Sequence, residues 1–139
     1  MHVDPTRGTV GELMTREPIV VSVDTPVSEV ADLMDRFGIS GLPIVDRHGH
    51  LVGVVSQTDL LRARATADLW TRWPTLAAGH LMTQPALTAS SEMPIEEAVS
   101  RMESNHVHRL VVVADDGATP IGVISTTDLV RAMAGRVDR

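Results

Sequence analysis

The 139-residue sequence contains no cysteine, no lysine and no tyrosine, and its only aromatic side chains are one phenylalanine and two tryptophans. Without cysteine, disulfides, thiol nucleophiles and cysteine-ligated metals are excluded. Aromatic residues make up 2% of a chain that is 43% hydrophobic, so the core has to be built from Val, Ile, Leu, Ala and Met. No apolar run is long enough to cross a bilayer, and the opening MHVDPTRGTVGELM lacks the apolar stretch of a signal peptide. The expectation is a soluble, cytoplasmic protein with no membrane contact. All 12 basic residues are arginine, set against 18 acidic ones for a formal net charge of −6. An acidic chain without a basic stripe is a poor nucleic-acid binder, because such binding is driven by phosphate neutralisation. Any anion it takes must be held by a few local groups working against the overall field.

What the chain does have is an internal repeat. LMTREPIVVSVDTPVSEVADLMDRFGISGLPIVDRHGHLVGVVSQTDLLRA, from Leu13, matches LMTQPALTASSEMPIEEAVSRMESNHVHRLVVVADDGATPIGVISTTDLVRA, from Leu81. Met14 pairs with Met82, Pro26 with Pro94, Met34 with Met102 and Gly49 with Gly117. After one extra residue in the second turn, Gly53 pairs with Gly122, Asp59 with Asp128 and Arg62 with Arg131. The division expected from this match is an arm at 1–12, a first unit at 13–64, a linker at 65–79, a second unit at 80–135 and a tail at 136–139.

Each copy opens on a short β-rich segment such as PIVVSVD, followed by a proline at the first helical position, Pro26, with Thr25 as the expected N-cap. Val27, Val30, Ala31 and Met34 then recur at the spacing of one helical face, as do Ile95, Ala98, Val99 and Met102. The runs LPIVD and LVGVVS bracket the turn RHGH and read as a hairpin. A helix follows, TDLLRARATADLW in the first copy and TDLVRAMAG in the second, where Gly135 is a natural stop. The fold class is therefore α/β (α+β), each unit a small three-stranded sheet with two helices. Such a unit cannot bury its apolar surface alone at this size. Two copies packed sheet to sheet about a pseudo-twofold axis can, and that packing would bring equivalent segments to one cleft. The linker carries Trp70 and Trp73, which the sequence leaves to pack either against the sheet, covering the core, or against a partner subunit, the first being the favoured reading.

Ser56-x-x-Asp59 and Ser125-x-x-Asp128 stand at the strand-to-helix junctions. Taken singly, each is a capping box, in which serine hydroxyl and carboxylate satisfy backbone N–H groups. A helix N-terminus also attracts anions, and Thr58 and Thr127 add hydroxyls on the same turn. A carboxylate is a natural acceptor for the paired hydroxyls of a ribose, through charge-assisted bonds of about 1.5–3 kcal/mol each. One motif can thus cap a helix and hold a nucleoside.

The duplication, the Gly-apolar-apolar-Ser-x-x-Asp ending, and the stretches GISGLPIVD and HVHRLVVVADD resemble tandem cystathionine β-synthase (CBS) domains, the pair called a Bateman module. The resemblance covers both repeats and is to the stand-alone bacterial type. It implies adenine-nucleotide sensing in clefts between the units. Carried over by the resemblance, one cleft would use Thr15, Ile19, Ile39, Ser40, Gly41, Ser56 and Asp59, with His108 and Arg109 as phosphate partners. The other would use Thr83, Leu87, Val107, His108, Ser125 and Asp128. The first copy has Ser40 and Gly41 where the second has His108 and Arg109, so the cleft anchored by Asp59 is expected to favour phosphate.

The leading expectation is a non-enzymatic regulatory module that binds AMP, ADP or ATP, needs no cofactor, and signals by a change of packing. Alternatives are a ligand-free dimerisation or adaptor protein and a sensor of S-adenosylmethionine. A homodimer is expected, with Leu60, Leu61, Leu129 and Val130 offering the apolar helix faces for it. No nucleophile–base pair, Gly-rich phosphate loop or metal-ligand spacing points to an enzyme. His48, His50 and His106 read as solvated turn or helix-end residues rather than metal ligands.

Overall fold

The computed structural model describes residues 8–135. In chain order they form α1 (Val10–Leu13), β1 (Thr15–Arg16), β2 (Val21–Ser22), α2 (Val27–Phe37), β3 (Gly41–Val45), β4 (Leu51–Ser56), α3 (Gln57–Ala65) and α4 (Ala67–Thr71). A 3-10 turn (Trp73–Thr75) leads to α5 (Ala78–Leu81), β5 (Thr88–Ser90), α6 (Ile95–Ser104), β6 (Arg109–Val113), β7 (Pro120–Ser125) and α7 (Thr126–Met133). These elements make two compact units, one of residues 19–86 and the other of residues 8–18 with 87–135.

In the unit of residues 19–86 the sheet order is β2-β3-β4, with β2 parallel to β3 and β3 antiparallel to β4. The hairpin expected from LPIVD and LVGVVS is present, its turn closed by Gly49 at φ +80°. Helix α2 forms because Val27, Val30 and Met34 share one face, with Glu29 in its first turn and Arg36 in its last. That face is buried with Leu42 and Ile44 of β3, Val55 of β4 and Ala63 of α3. Burial of each large side chain contributes about 1.5–3 kcal/mol, so a charge at Val30, which is fully buried, would break the unit. Trp73 packs against this core, as the linker reading expects, whereas Trp70 stays 41% exposed under the Arg64 guanidinium.

The second unit repeats the plan. β5 runs parallel to β6 and β6 antiparallel to β7, and Ile95, Ala98 and Met102 of α6 are buried with Leu110, Val112 and Ile124. Its sheet has a fourth strand, β1, which pairs antiparallel with β7 through Thr15 and Val123.

The compact units cut across the copies. The segment that opens the first copy packs on the sheet of the second, and the segment that opens the second packs on the sheet of the first. Val10 and Gly11 donate to the carbonyls of Met93 and Ser91, while Ala78 and Gly79 donate to those of Thr25 and Val23. Thr83 exchanges both backbone hydrogen bonds with Val54, at 3.0 and 2.8 Å. Both arms cross over a glycine. A Cβ on Gly53 would lie 2.9 Å from Met82 Sδ and 2.9 Å from the Thr83 carbonyl oxygen. On Gly122 it would lie 2.7 Å from Met14 Sδ and 2.9 Å from the Thr15 carbonyl oxygen. The glycine inside each motif strand therefore makes room for an arm. The compact units thus differ from the copies expected at 13–64 and 80–135 by this exchange, and the stretches read as an arm at 1–12 and a linker at 65–79 each contain part of a packed segment, α1 and α4–α5 respectively. The expected tail at 136–139 lies outside the described residues.

Local differences have local causes. Pro26 and Pro94 themselves occupy the cap positions of α2 and α6, and the Thr25 hydroxyl accepts a bond from the Ser22 N–H instead. The stretch TDLLRARATADLW is two helices, because Thr66 leaves the helical region at φ −105°, ψ 112° and caps α4. At the end of α2, Gly38 takes a left-handed conformation (φ +63°), and the Ile39 N–H returns to the Met34 carbonyl. In the second copy His106 holds that conformation (φ +53°), with Val107 returning to Met102.

Two predictions follow from these positions. Gly53→Ala and Gly122→Ala should each lower stability in urea denaturation by about 1–3 kcal/mol, since the methionine can swing aside but the threonine carbonyl cannot. An unchanged midpoint contradicts the crossing-arm account. Gly38→His should lose about 1–2 kcal/mol, the penalty of a left-handed non-glycine residue, while His106→Gly should be neutral or stabilising. The opposite signs would show that these turns are not equivalent.

Candidate functional site

Strands β4 and β7 end at Ser56 and Ser125, and helices α3 and α7 begin one residue later. Extended backbone at the serine (φ −120° and −128°) turns its hydroxyl towards the new helix, where it accepts from the N–H of Asp59 or Asp128 at 3.2 and 3.3 Å. The aspartate reaches back in return. Asp59 Oδ2 accepts from the Ser56 N–H at 2.8 Å and from its hydroxyl at 2.9 Å. Asp128 Oδ2 accepts from the Ser125 N–H at 2.8 Å and hydroxyl at 3.1 Å. The capping boxes read from the sequence are thus both formed.

The other carboxylate oxygen has different partners. Asp59 Oδ1 accepts from the Thr83 hydroxyl at 3.2 Å and from Arg62 Nη1 at 3.1 Å. Asp128 Oδ1 accepts from the Thr15 hydroxyl at 3.1 Å and from Arg131 Nη1 at 3.4 Å. Both aspartates are buried, at 4% and 7% exposure, the only polar residues so deeply placed among the described residues. A buried carboxylate is tolerated when its lone pairs are satisfied, and here four donors in each copy share that task with the helix N-terminus.

This geometry corrects one sequence-based grouping. Thr15 belongs with Asp128 and Thr83 with Asp59, the reverse of the expected assignment, because the arms are exchanged. Of the remaining residues, the hairpin positions adjoin their own serine junctions and the apolar ones pack on the cores. Gly41 faces Ser56 across the hairpin and the Ser40 carbonyl accepts from Gln57 N–H at 2.9 Å, with Ile19 and Ile39 packed on the same core. Arg109 faces Ser125 and the His108 carbonyl accepts from Thr126 N–H at 3.0 Å, with Leu87 and Val107 packed on that core. His108 and Arg109, expected as phosphate partners for Asp59, stand in the unit of Asp128. Thr58 and Thr127 are exposed on the first helical turns rather than turned to the carboxylates. Arg62 and Arg131 were missed by sequence reasoning, although the aspartate–arginine spacing of three on one helix was the available signal.

The histidines of the first turn serve the hairpin. The Asp46 carboxylate accepts from the N–H groups of His50 and His48, which hold its pKa below the ordinary aspartate value. Among the described residues no cluster of three or more His, Asp or Glu could hold a metal ion, and no helix is long and apolar enough to cross a membrane. Of the four apolar residues expected to face a dimer partner, Leu61 and Val130 point outward, at 68% and 62% exposure. Leu60 packs on the core and Leu129 is buried, so these two serve the unit itself.

Comparison with known proteins fits this geometry. The family profile described as CBS domain matches residues 10–66 and again 78–135. The chain is 32% identical over 120 residues to inosine-5'-monophosphate dehydrogenase of Methanocaldococcus jannaschii, covering 86% of this chain and 22% of that enzyme. It therefore spans about a fifth of the dehydrogenase's length. Among solved structures, CBSX2 of Arabidopsis thaliana in complex with AMP is 33% identical, with a TM-score of 0.78 over 89% of this chain and 94% of that one. The CBS domain pair of protein MJ0100, in complex with 5'-methylthioadenosine and S-adenosyl-L-methionine, is 26% identical with a TM-score of 0.83, covering 93% and 98%. With both copies matched and the paired capping boxes in place, the chain belongs to the CBS domain family, as a tandem pair.

Proposed function

We propose that this CBS pair is a non-enzymatic regulatory module that binds an adenine nucleotide, with ribose hydroxyls donating to Asp59 and Asp128. The observation that carries the reading is the repeated buried carboxylate. Oδ2 is committed to the capping box in each copy, whereas Oδ1 is held by a threonine hydroxyl and an arginine that a sugar hydroxyl can replace. Two structurally similar CBS proteins that carry AMP or adenosylated sulfur compounds support the adenosine class of ligand. Ile19, Ile39 and Leu87, Val107 supply apolar surface for a base near each junction, and His108 with Arg109 are the proposed phosphate contacts. S-adenosylmethionine is the alternative ligand where no arginine meets a phosphate.

A second reading, assembly of copies into a homodimer, is favoured by the outward Leu61, Val130 and Met133, the last at 63% exposure. It is compatible with ligand binding, because filling a site can shift the packing of such an assembly. The activity of the long dehydrogenase relative is not carried over, since the likeness covers about a fifth of its length.

Thermal melts with AMP, ADP and ATP test the proposal. At a ligand concentration about a hundred times Kd the midpoint should rise by several degrees, the equivalent of about 2.7 kcal/mol. Asp59→Ala should lose part of that rise while remaining folded, at a stability loss of about 1–2 kcal/mol for the missing cap. No shift with any of the three at millimolar concentration contradicts nucleotide binding.

A further inference from the structure

Each aspartate carries an arginine three residues further along its own helix, and the contact falls on the oxygen that the capping box leaves over. In the first copy Arg62 Nη1 donates to Asp59 Oδ1 at 3.1 Å, with the arginine side chain 66% exposed and the aspartate 4% exposed. A carboxylate offers about four lone-pair sites. Here the Ser56 N–H and hydroxyl occupy Oδ2, and the Thr83 hydroxyl and Arg62 occupy Oδ1. The acceptor is therefore full before any ligand arrives.

A hydroxyl that reaches Asp59 must displace one of these four donors. The two from Ser56 hold the start of α3, and Thr83 is anchored by two backbone bonds to Val54. Arg62 is the donor that can leave: its guanidinium is at the surface, where water replaces the lost bond and where such ion pairs are weak. We infer that Arg62 is a built-in competitor for the ligand-binding oxygen of Asp59, a residue that sets affinity by occupying the acceptor in the empty state. The inference rests on the proposed ribose–Asp59 contact. Arg131 and Asp128 repeat the pairing at 3.4 Å.

This role has a signature that a structural salt bridge or a direct ligand contact lacks. Removing a competitor tightens binding, whereas loss of a support or of a ligand contact weakens it. A neutral nucleoside is the suitable probe, because it has no phosphate for an arginine to attract. Salt screens the surface guanidinium of the pair, whose carboxylate partner is buried, so ligand entry should become easier as ionic strength rises.

The test is calorimetric titration with adenosine, in an Asp128→Asn background that leaves the Asp59 site as the one read. Arg62→Met keeps the aliphatic stem and removes the donor. It should tighten adenosine binding by about two- to five-fold, the range of a surface ion pair, while Arg62→Lys stays nearer the parent. The parent's affinity should also rise between low and high salt, and that of Arg62→Met should not. Equal affinities with the same salt response would overturn the competitor role while leaving the ribose contact standing. Weaker binding by Arg62→Met would make Arg62 a ligand contact and equally overturn it. Binding by neither protein would remove the ribose contact itself, and this inference with it.

Discussion

The buried carboxylate at the start of α3, and again at the start of α7, is the constraint around which each unit is arranged. Burying Asp59 or Asp128 is unfavourable unless its oxygens are satisfied, and the partners come from three places: the serine that ends the preceding strand, the arginine one turn further along the helix and the threonine of the crossing arm. A strand can pass into a helix at this point only if the serine remains extended. The arm can deliver its threonine only if the strand beneath carries no side chain. Hence the glycine three residues before each serine and the serine three residues before each aspartate: one spacing makes room, the other caps.

Most of this local order is legible in the residues themselves. Period-3.6 faces at Val27, Val30 and Met34 mark a helix, and the turn at Gly49 between two apolar runs marks a hairpin. Ser-x-x-Asp before an apolar helix marks a capping box, which both copies form. The exchange of arms was not legible. Leu-Met-Thr stands at the head of both copies, so matching the copies says nothing about which sheet each head joins. Gly53 and Gly122 held the clue, since a glycine inside a strand signals close backbone approach, yet the residue that approaches can come from anywhere in the chain. The break of the helix at Thr66 was not legible either, because the helical pattern TDLLRARATADLW continues through the residue whose backbone leaves the helical region.

The two copies share a frame and differ in what surrounds it. Where the first presents Ser40 and Gly41 next to its serine, the second presents His108 and Arg109 at the same hairpin positions. His106 even keeps the left-handed backbone of Gly38. The duplicated carboxylate thus supplies a common acceptor, and the neighbouring hairpin positions supply different charge. That pattern suits a protein whose sites take ligands with one shared moiety and different appendages, as an adenosine group bearing phosphate or sulfonium would be.

A crystal structure of the protein grown with adenosine examines the central claim most directly. The account requires a ribose hydroxyl within hydrogen-bond distance of Asp59 Oδ1, with Arg62 turned away and the Ser56 bonds to Oδ2 intact. Adenosine bound elsewhere, with the Arg62–Asp59 contact undisturbed, would contradict it.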